Sequence, residues 1–113
     1  MTSVVIPWRS GCPYRQRALV WVLGRWAERF PTFDVVLGVH DDGPWCKAAA
    51  VADGLSKVAD GALILADADV WPLRPEALTV AVGALSEYGW AIPHGDVQRL
   101  TETASEAFMA DLP

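Results

Sequence analysis

Three short apolar runs alternate with stretches of helical periodicity, and this alternation limits the folds open to the chain. The runs are "VVIP", "DVVLGV" and "ALILAD", and polar residues follow each of them. Such runs, bounded by turn residues, are typical of buried strands, and we expect the third to be buried on both faces. A strand–helix–strand–helix–strand order predicts a three-layer α/β fold. We expect parallel strands at 4–6, 34–39 and 62–67, with the first in the middle.

Apolar residues at three- and four-residue intervals predict the helices. These span 15–30, about 45–59, and 75 to about 88. The segment "GWAIP" at 89–93 indicates a short fourth strand, and Thr103 with Glu106 predicts a capping box for a last helix. The inner face of the second helix is expected to comprise Ala48, Val51, Ala52, Leu55 and Ala59.

The length and composition of the chain suit one small globular domain over residues 1–113. The chain has 113 residues, 52% hydrophobic and 20% charged. No apolar stretch approaches the ~20 residues that cross a membrane, and no secretory signal is visible. Cys12 and Cys46 lack the spacing of a disulfide scaffold or metal pair, so we expect a reduced, cytoplasmic protein. A domain this small should expose apolar surface, and we expect a homodimer that uses Trp90 or Phe108.

Charge is unevenly distributed along the chain. The net charge is −5, with five Arg against one acid through Phe30 and four basic residues against thirteen acids beyond it. An acidic protein is a poor nonspecific nucleic-acid binder, because that binding depends on counterion release by Lys and Arg. The basic first segment could still serve a small anion.

Polar residues follow each predicted strand, and parallel strands bring their carboxyl ends to one edge of the sheet. Ligands of such sheets bind outside that edge. We therefore expect a site there that includes Arg9, His40, Asp41, Asp42, Asp67 and Asp69.

Asp67 and Asp69 are two residues apart, so on a straight strand they would point the same way. Two neighbouring carboxylates repel unless a positive charge lies between them. Mg²⁺ or Mn²⁺ would remove that conflict, because both prefer carboxylate oxygens, water and substrate phosphates. The alternative is that these acids are simply solvated at the end of a strand.

Four segments in order resemble the N-terminal, nucleotide-sugar-binding half of a GT-A-type glycosyltransferase, of the family-2 or galactosyltransferase-like kind. They are "VVIPWR", "VHDDG", "KAAAVADGLSKVADGALILADADV" and "GWAIPHGDVQRL". The resemblance covers about the first hundred residues. It implies a truncated, Rossmann-like fold, a UDP-sugar or related donor, Mn²⁺ or Mg²⁺ as cofactor, and transfer to an unknown acceptor.

The resemblance also implies roles for individual residues. Asp69 would bind the metal that bridges the donor diphosphate, and Asp67 would bind that metal, a metal-bound water or the ribose. Asp41 or Asp42 would hold the nucleobase or ribose. Arg9 would border the base or diphosphate, and Lys47 would lie near the donor.

The chain also departs from the family. Asp53 stands where asparagine is usual, so the resemblance implies no role for it. The acceptor half, which supplies the general base of inverting members, would follow beyond this segment. A non-catalytic remnant, or a nucleotide-sugar- or metal-binding domain that works only with a partner, is therefore the alternative. A haloacid-dehalogenase-type phosphatase is disfavoured, because Trp71 stands where Thr or Val is expected.

Several marked residues admit two interpretations. His94 is either a further metal ligand or a polar loop residue. Trp8, Trp45 and Trp71 each follow a strand, and each either stacks on a base or sugar or covers the core.

Overall fold

A computed structural model describes residues 1–111. The chain separates into two compact units, Met1–Pro75 and a second that starts at Glu76. The first unit contains β1 (Thr2–Trp8), α1 (Pro13–Arg29), β2 (Asp34–Val39), α2 (Lys47–Leu55) and β3 (Ala62–Leu65). The second contains α3 (Glu76–Ala84) and α4 (Glu102–Asp111). No helix within residues 1–111 is both long and apolar enough to span a bilayer.

The sheet has three parallel strands in the order β2-β1-β3. Val5 of β1 lies opposite Val36 of β2 and Leu65 of β3. The predicted parallel strands and the central place of the first are confirmed. So is the coarser fold class, a small α/β domain with a parallel sheet and helices.

Small residues let α2 lie unusually close to the sheet. A Cβ added at Gly38 of β2 would overlap the backbone carbonyl of Ala50, and one at Gly54 would overlap Val5 Cγ1. Ala50 and Val5 are fully buried. The packing therefore joins helix backbone to strand backbone, and it fixes where α2 begins.

Large apolar residues make up the buried stripe of α1. Leu19, Val22 and Trp26 recur at helical spacing and are buried. Trp26 packs edge-on against Trp71, with ring centroids 5.2 Å apart. Right-handed crossovers in this strand order place α1 on the face opposite α2.

The prediction that the third strand is buried on both faces is wrong. Leu63 and Leu65 are 36% and 58% exposed. Both side chains lie on the same face of the sheet as Val5. On that face α2 packs against β1 and β2, so it does not cover β3, which is an outer strand of the sheet. The strand also ends at Leu65, two residues earlier than predicted, although Ala66 N–H still donates to Val5 O at 3.1 Å.

Two helices are shorter than predicted because their last turns tighten. The N–H of Lys57 bonds the Gly54 carbonyl, three residues back, so α2 ends at Leu55. After α3, the N–H of Leu85 bonds the Val82 carbonyl in the same way. The predicted inner face of α2 is also wrong, because its buried residues are Ala50 and Gly54.

Two predictions in the second unit are wrong. Residues 89–93 form no strand; Trp90 and Ile92 are 74% and 62% exposed, and Pro93 lacks an N–H to pair. The last helix is capped by Thr101, two residues before the predicted Thr103, because Thr101 Oγ1 accepts the Ala104 N–H at 3.1 Å. The homodimer stays a prediction.

We expect Gly38→Ala to destabilise the protein by about 1–3 kcal/mol, the usual cost of forcing extra volume into a packed core. The added methyl group would push α2 off the sheet. Gly24→Ala is the matched control, because a Cβ at this position in α1 meets nothing within 4 Å. The control should stabilise by up to about 1 kcal/mol through helix propensity. Urea unfolding of both variants checks this; an unchanged Gly38→Ala midpoint would contradict the close contact.

Candidate functional site

The polar residues that follow the strands meet at one edge of the sheet. Arg9 follows β1, the loop 40–43 follows β2, and Asp67 to Asp69 follow β3. Because all three strands are parallel, these segments leave from the same edge. The helices α1 and α2 begin at this edge, since each leads back from a strand's carboxyl end.

A cleft of about 180 Å³ opens at this edge. Two cationic side chains and two carboxylates line it, together with an indole ring. The lining residues are Pro7, Arg15, Trp45, Lys47, Asp67, Ala68 and Asp69. The sequence placed Lys47, Asp67 and Asp69 in one site, and the structure brings these three together.

Lys47 and Asp67 form an ion pair across the cleft. Lys47 Nζ donates to Asp67 Oδ1 at 3.0 Å. Lys47 is the first residue of α2, so the close packing of that helix determines where its side chain starts. Both side chains are more than half exposed, 60% and 54%. Such exposed pairs contribute about 0–1 kcal/mol, so another ligand can readily separate them.

Two carboxylates are available to a metal in the cleft. Within residues 1–111, no group of three or more His, Cys, Asp or Glu side chains could hold a metal ion. Mg²⁺ is usually bound through one or two carboxylates, with water and substrate phosphates completing the octahedron. The hard oxygen donors of Asp67 and Asp69 fit that pattern. The ammonium of Lys47 lies on Asp67 Oδ1, so this carboxylate oxygen already pairs with a positive charge.

Arg9 holds the loop after β2 and lies outside the cleft lining. Its Nη2 donates to Asp41 O at 2.9 Å and to Gly43 O. Gly43 has φ +61°, a left-handed conformation that suits glycine. Of the described residues predicted for the site, four are not among those lining the cleft: Arg9, His40, Asp41 and Asp42. The arginine therefore shapes the loop that carries the two acids.

The three tryptophans predicted to follow strands separate into two groups, and Trp8 is itself the last residue of β1. Trp8 is buried in the core and Trp71 packs on Trp26. Trp45 is 42% exposed and lines the cleft. The core interpretation holds for Trp8 and Trp71, whereas Trp45 keeps the ligand-stacking prediction.

The cysteines and His94 lie in different settings. Cys12 and Cys46 are free thiols at the N-cap positions of α1 and α2. His94 belongs to the second unit, where it borders an open groove lined otherwise by alanine, valine, isoleucine and proline. A metal-ligand role for His94 stays a prediction.

Two contributions to the candidate site are not visible in the hydrophobic pattern of the sequence. The pattern places Arg15 in a helix, and its position in the first turn of α1 puts it in the cleft. Asp53 Oδ2 accepts the Val39 N–H at 2.8 Å and pairs with Lys57 Nζ at 2.9 Å. The i,i+4 spacing of Asp53 and Lys57 was the visible signal for that pair.

Asp53 fastens α2 to the last residue of β2, directly before the loop 40–43. The hydrogen bond from the Val39 N–H is the main cause that holds the pKa of the Asp53 carboxyl below its ordinary value of 3.8, and the hydrogen bond from Lys57 is the second. The charged carboxylate is therefore the form that stabilises the folded protein.

Protein-family models, curated proteins and solved structures give no match to this chain. The functional assignment consequently depends on the cleft and on the ordered motifs of the sequence.

We expect Asp53→Asn to lower the melting temperature most above about pH 5, where Asp53 is charged in the folded and unfolded protein alike. A lowered folded-state pKa adds stability above the unfolded value of 3.8, and that stability is lost as pH falls through the folded value. The difference in melting temperature between the wild type and the variant should therefore shrink as the pH falls below 3.8. Thermal unfolding across this range checks it; a difference independent of pH would contradict the charged role.

Proposed function

We propose that this protein binds a nucleoside-diphosphate sugar together with Mn²⁺ or Mg²⁺ in the cleft, and that it acts in glycosyl transfer. One observation carries the proposal: Arg15 and Lys47 line the same cleft as Asp67 and Asp69, at the carboxyl edge of a parallel sheet. Ligands of open α/β sheets bind at that edge. The ordered resemblance to the donor half of GT-A-type enzymes supports the same function.

Charge balance favours a diphosphate esterified at both ends. The two cationic and two anionic side chains of the cleft sum to zero. A divalent cation and a doubly esterified diphosphate also sum to zero, so binding both leaves the site neutral. A nucleoside triphosphate with one such cation would add about two negative charges to a protein that is already acidic, with a net charge of −5.

Each lining side chain has a distinct task in this proposal. Asp67 and Asp69 hold the cation through carboxylate oxygens. Arg15 and Lys47 contact phosphate oxygens, which suits a guanidinium and an ammonium. Trp45 offers its exposed ring to the base or the sugar. When bound, the cation would stabilise the departing nucleoside diphosphate as a Lewis acid.

The size of the cleft matches only part of the donor. At about 180 Å³ it is smaller than the ~300–1,000 Å³ of pockets that enclose whole drug-sized ligands. The diphosphate and cation are the parts that need its charges. The nucleoside would extend along the sheet edge, and Asp41 or Asp42, on the loop that Arg9 holds, would contact the ribose or base.

Donor binding without transfer is the second candidate. Of the residues described, the cleft lining has no carboxylate or imidazole besides Asp67 and Asp69. If the cation occupies both carboxylates, neither remains to accept a proton from an acceptor hydroxyl. Release of the sugar from the donor distinguishes the two candidates.

We expect Asp69→Ala to abolish Mn²⁺-dependent binding of UDP-glucose, because it removes a cation ligand. Asp67→Asn should weaken binding less, since an amide oxygen keeps a hydrogen-bond acceptor but coordinates metal poorly. Without ligand, Asp69→Ala should melt at the same or a higher temperature, because a like charge beside Asp67 is gone. Titration calorimetry with UDP-glucose and, for comparison, a GDP-sugar measures binding.

Asp60→Ala is the matched control. Asp60 is exposed and precedes β3, at the opposite edge of the sheet from the cleft. This variant should bind like the wild type. Wild-type affinity weaker than about 1 mM, equivalent to only about 4 kcal/mol, would contradict the proposed function.

A further inference from the structure

We infer that Lys47 and the divalent cation compete for Asp67, so that cation binding releases Lys47 to the donor diphosphate. This role of Lys47 rests on the proposed function. It adds that one side chain serves two partners in turn: a carboxylate in the ligand-free protein and phosphate oxygens in the complex.

The contact between Lys47 and Asp67 is the first observation. Lys47 Nζ lies 3.0 Å from Asp67 Oδ1, which places an ammonium on one of the two carboxylates available to a metal. A divalent cation on the same oxygen would bring like charges to within a few ångströms of each other. At that separation their repulsion exceeds what an exposed ion pair contributes, so the weaker partner leaves.

The released ammonium stays within the cleft. The backbone of Lys47 is fixed as the first residue of α2, and its long side chain is 60% exposed, so it can turn without unpacking the core. It then lies in the cleft that Arg15 also lines, and two cations there call for an anion. The diphosphate is the anion that the proposed function supplies.

This exchange couples the two ligands. The cation frees a phosphate-binding group, and the diphosphate gives that group a new partner, so each ligand raises the affinity for the other by the same factor. Direct contact between metal and phosphate adds to that factor. The part due to Lys47 is the part that a substitution at position 47 removes.

Substitution of Lys47 should therefore change the two affinities in opposite directions. In Lys47→Gln, Mn²⁺ alone should bind about two- to five-fold more tightly, equivalent to about 0.4–1 kcal/mol, because its competitor is gone. UDP-glucose in the presence of Mn²⁺ should bind several-fold more weakly, because a phosphate contact is lost. Electron paramagnetic resonance of free Mn²⁺ and calorimetry with UDP-glucose measure the two quantities without any turnover.

Two further variants serve as controls. Lys57→Gln removes the same charge, but from the pair with Asp53, and should leave Mn²⁺ affinity unchanged. Lys47→Arg keeps a cationic side chain within reach of Asp67 and should bind Mn²⁺ with the same affinity as the wild type. Melting curves confirm that each variant is folded.

The outcomes separate this inference from the proposed function. If the wild type binds Mn²⁺ neither alone nor in the presence of UDP-glucose, the exchange and the proposed function are both overturned. If the wild type binds both ligands but Lys47→Gln leaves Mn²⁺ affinity unchanged or weaker, competition at Asp67 is overturned and the proposed function stands. Opposite changes in the two affinities, with Lys47→Arg behaving as the wild type, support the exchange.

Discussion

The close packing of α2 on the sheet determines the geometry of the candidate site. A hydrogen atom is all that fits as a side chain at Gly38 and Gly54, where the helix backbone meets β2 and β1. Contact of this kind leaves the helix little freedom to slide or rotate, because interiors are as dense as organic crystals. Asp53 adds a polar link from the helix to Val39. The start of α2, and with it Lys47, is consequently held beside the carboxyl end of β3.

Parallel topology then gathers opposite charges in one place. Chain segments far apart in sequence, the first turns of α1 and α2 and the loop after β3, contribute the cleft's charged residues. The charges of two cationic side chains and two carboxylates cancel in the absence of ligand, and Lys47 and Asp67 form an ion pair with each other. In the proposed function, the same set would stay neutral when a divalent cation and a diphosphate enter together. Ligand binding would then exchange charge partners without leaving an uncompensated charge.

The sequence predicted those features that depend on local pattern. The strands and their parallel order followed from short apolar runs, and the shared edge followed from that order. The segment at 89–93 looked like a strand, but a strand also needs a neighbour, which no local pattern reveals. The buried face of α2 was missed because Ala50 and Gly54 mark it by being small, whereas hydrophobic periodicity weights large residues. Contacts such as Lys47 with Asp67 and the entry of Arg15 into the cleft depend on how distant segments pack, so they required the structure.

A crystal structure of the protein with UDP-glucose and Mn²⁺ tests the central claim most directly, because the anomalous scattering of manganese locates the metal independently. The account predicts one manganese peak bound to the carboxylates of Asp67 and Asp69 and to the diphosphate. It also predicts that Lys47 Nζ has turned from Asp67 to a phosphate oxygen. A metal or diphosphate bound away from this cleft, or density for neither at millimolar concentrations, would contradict it.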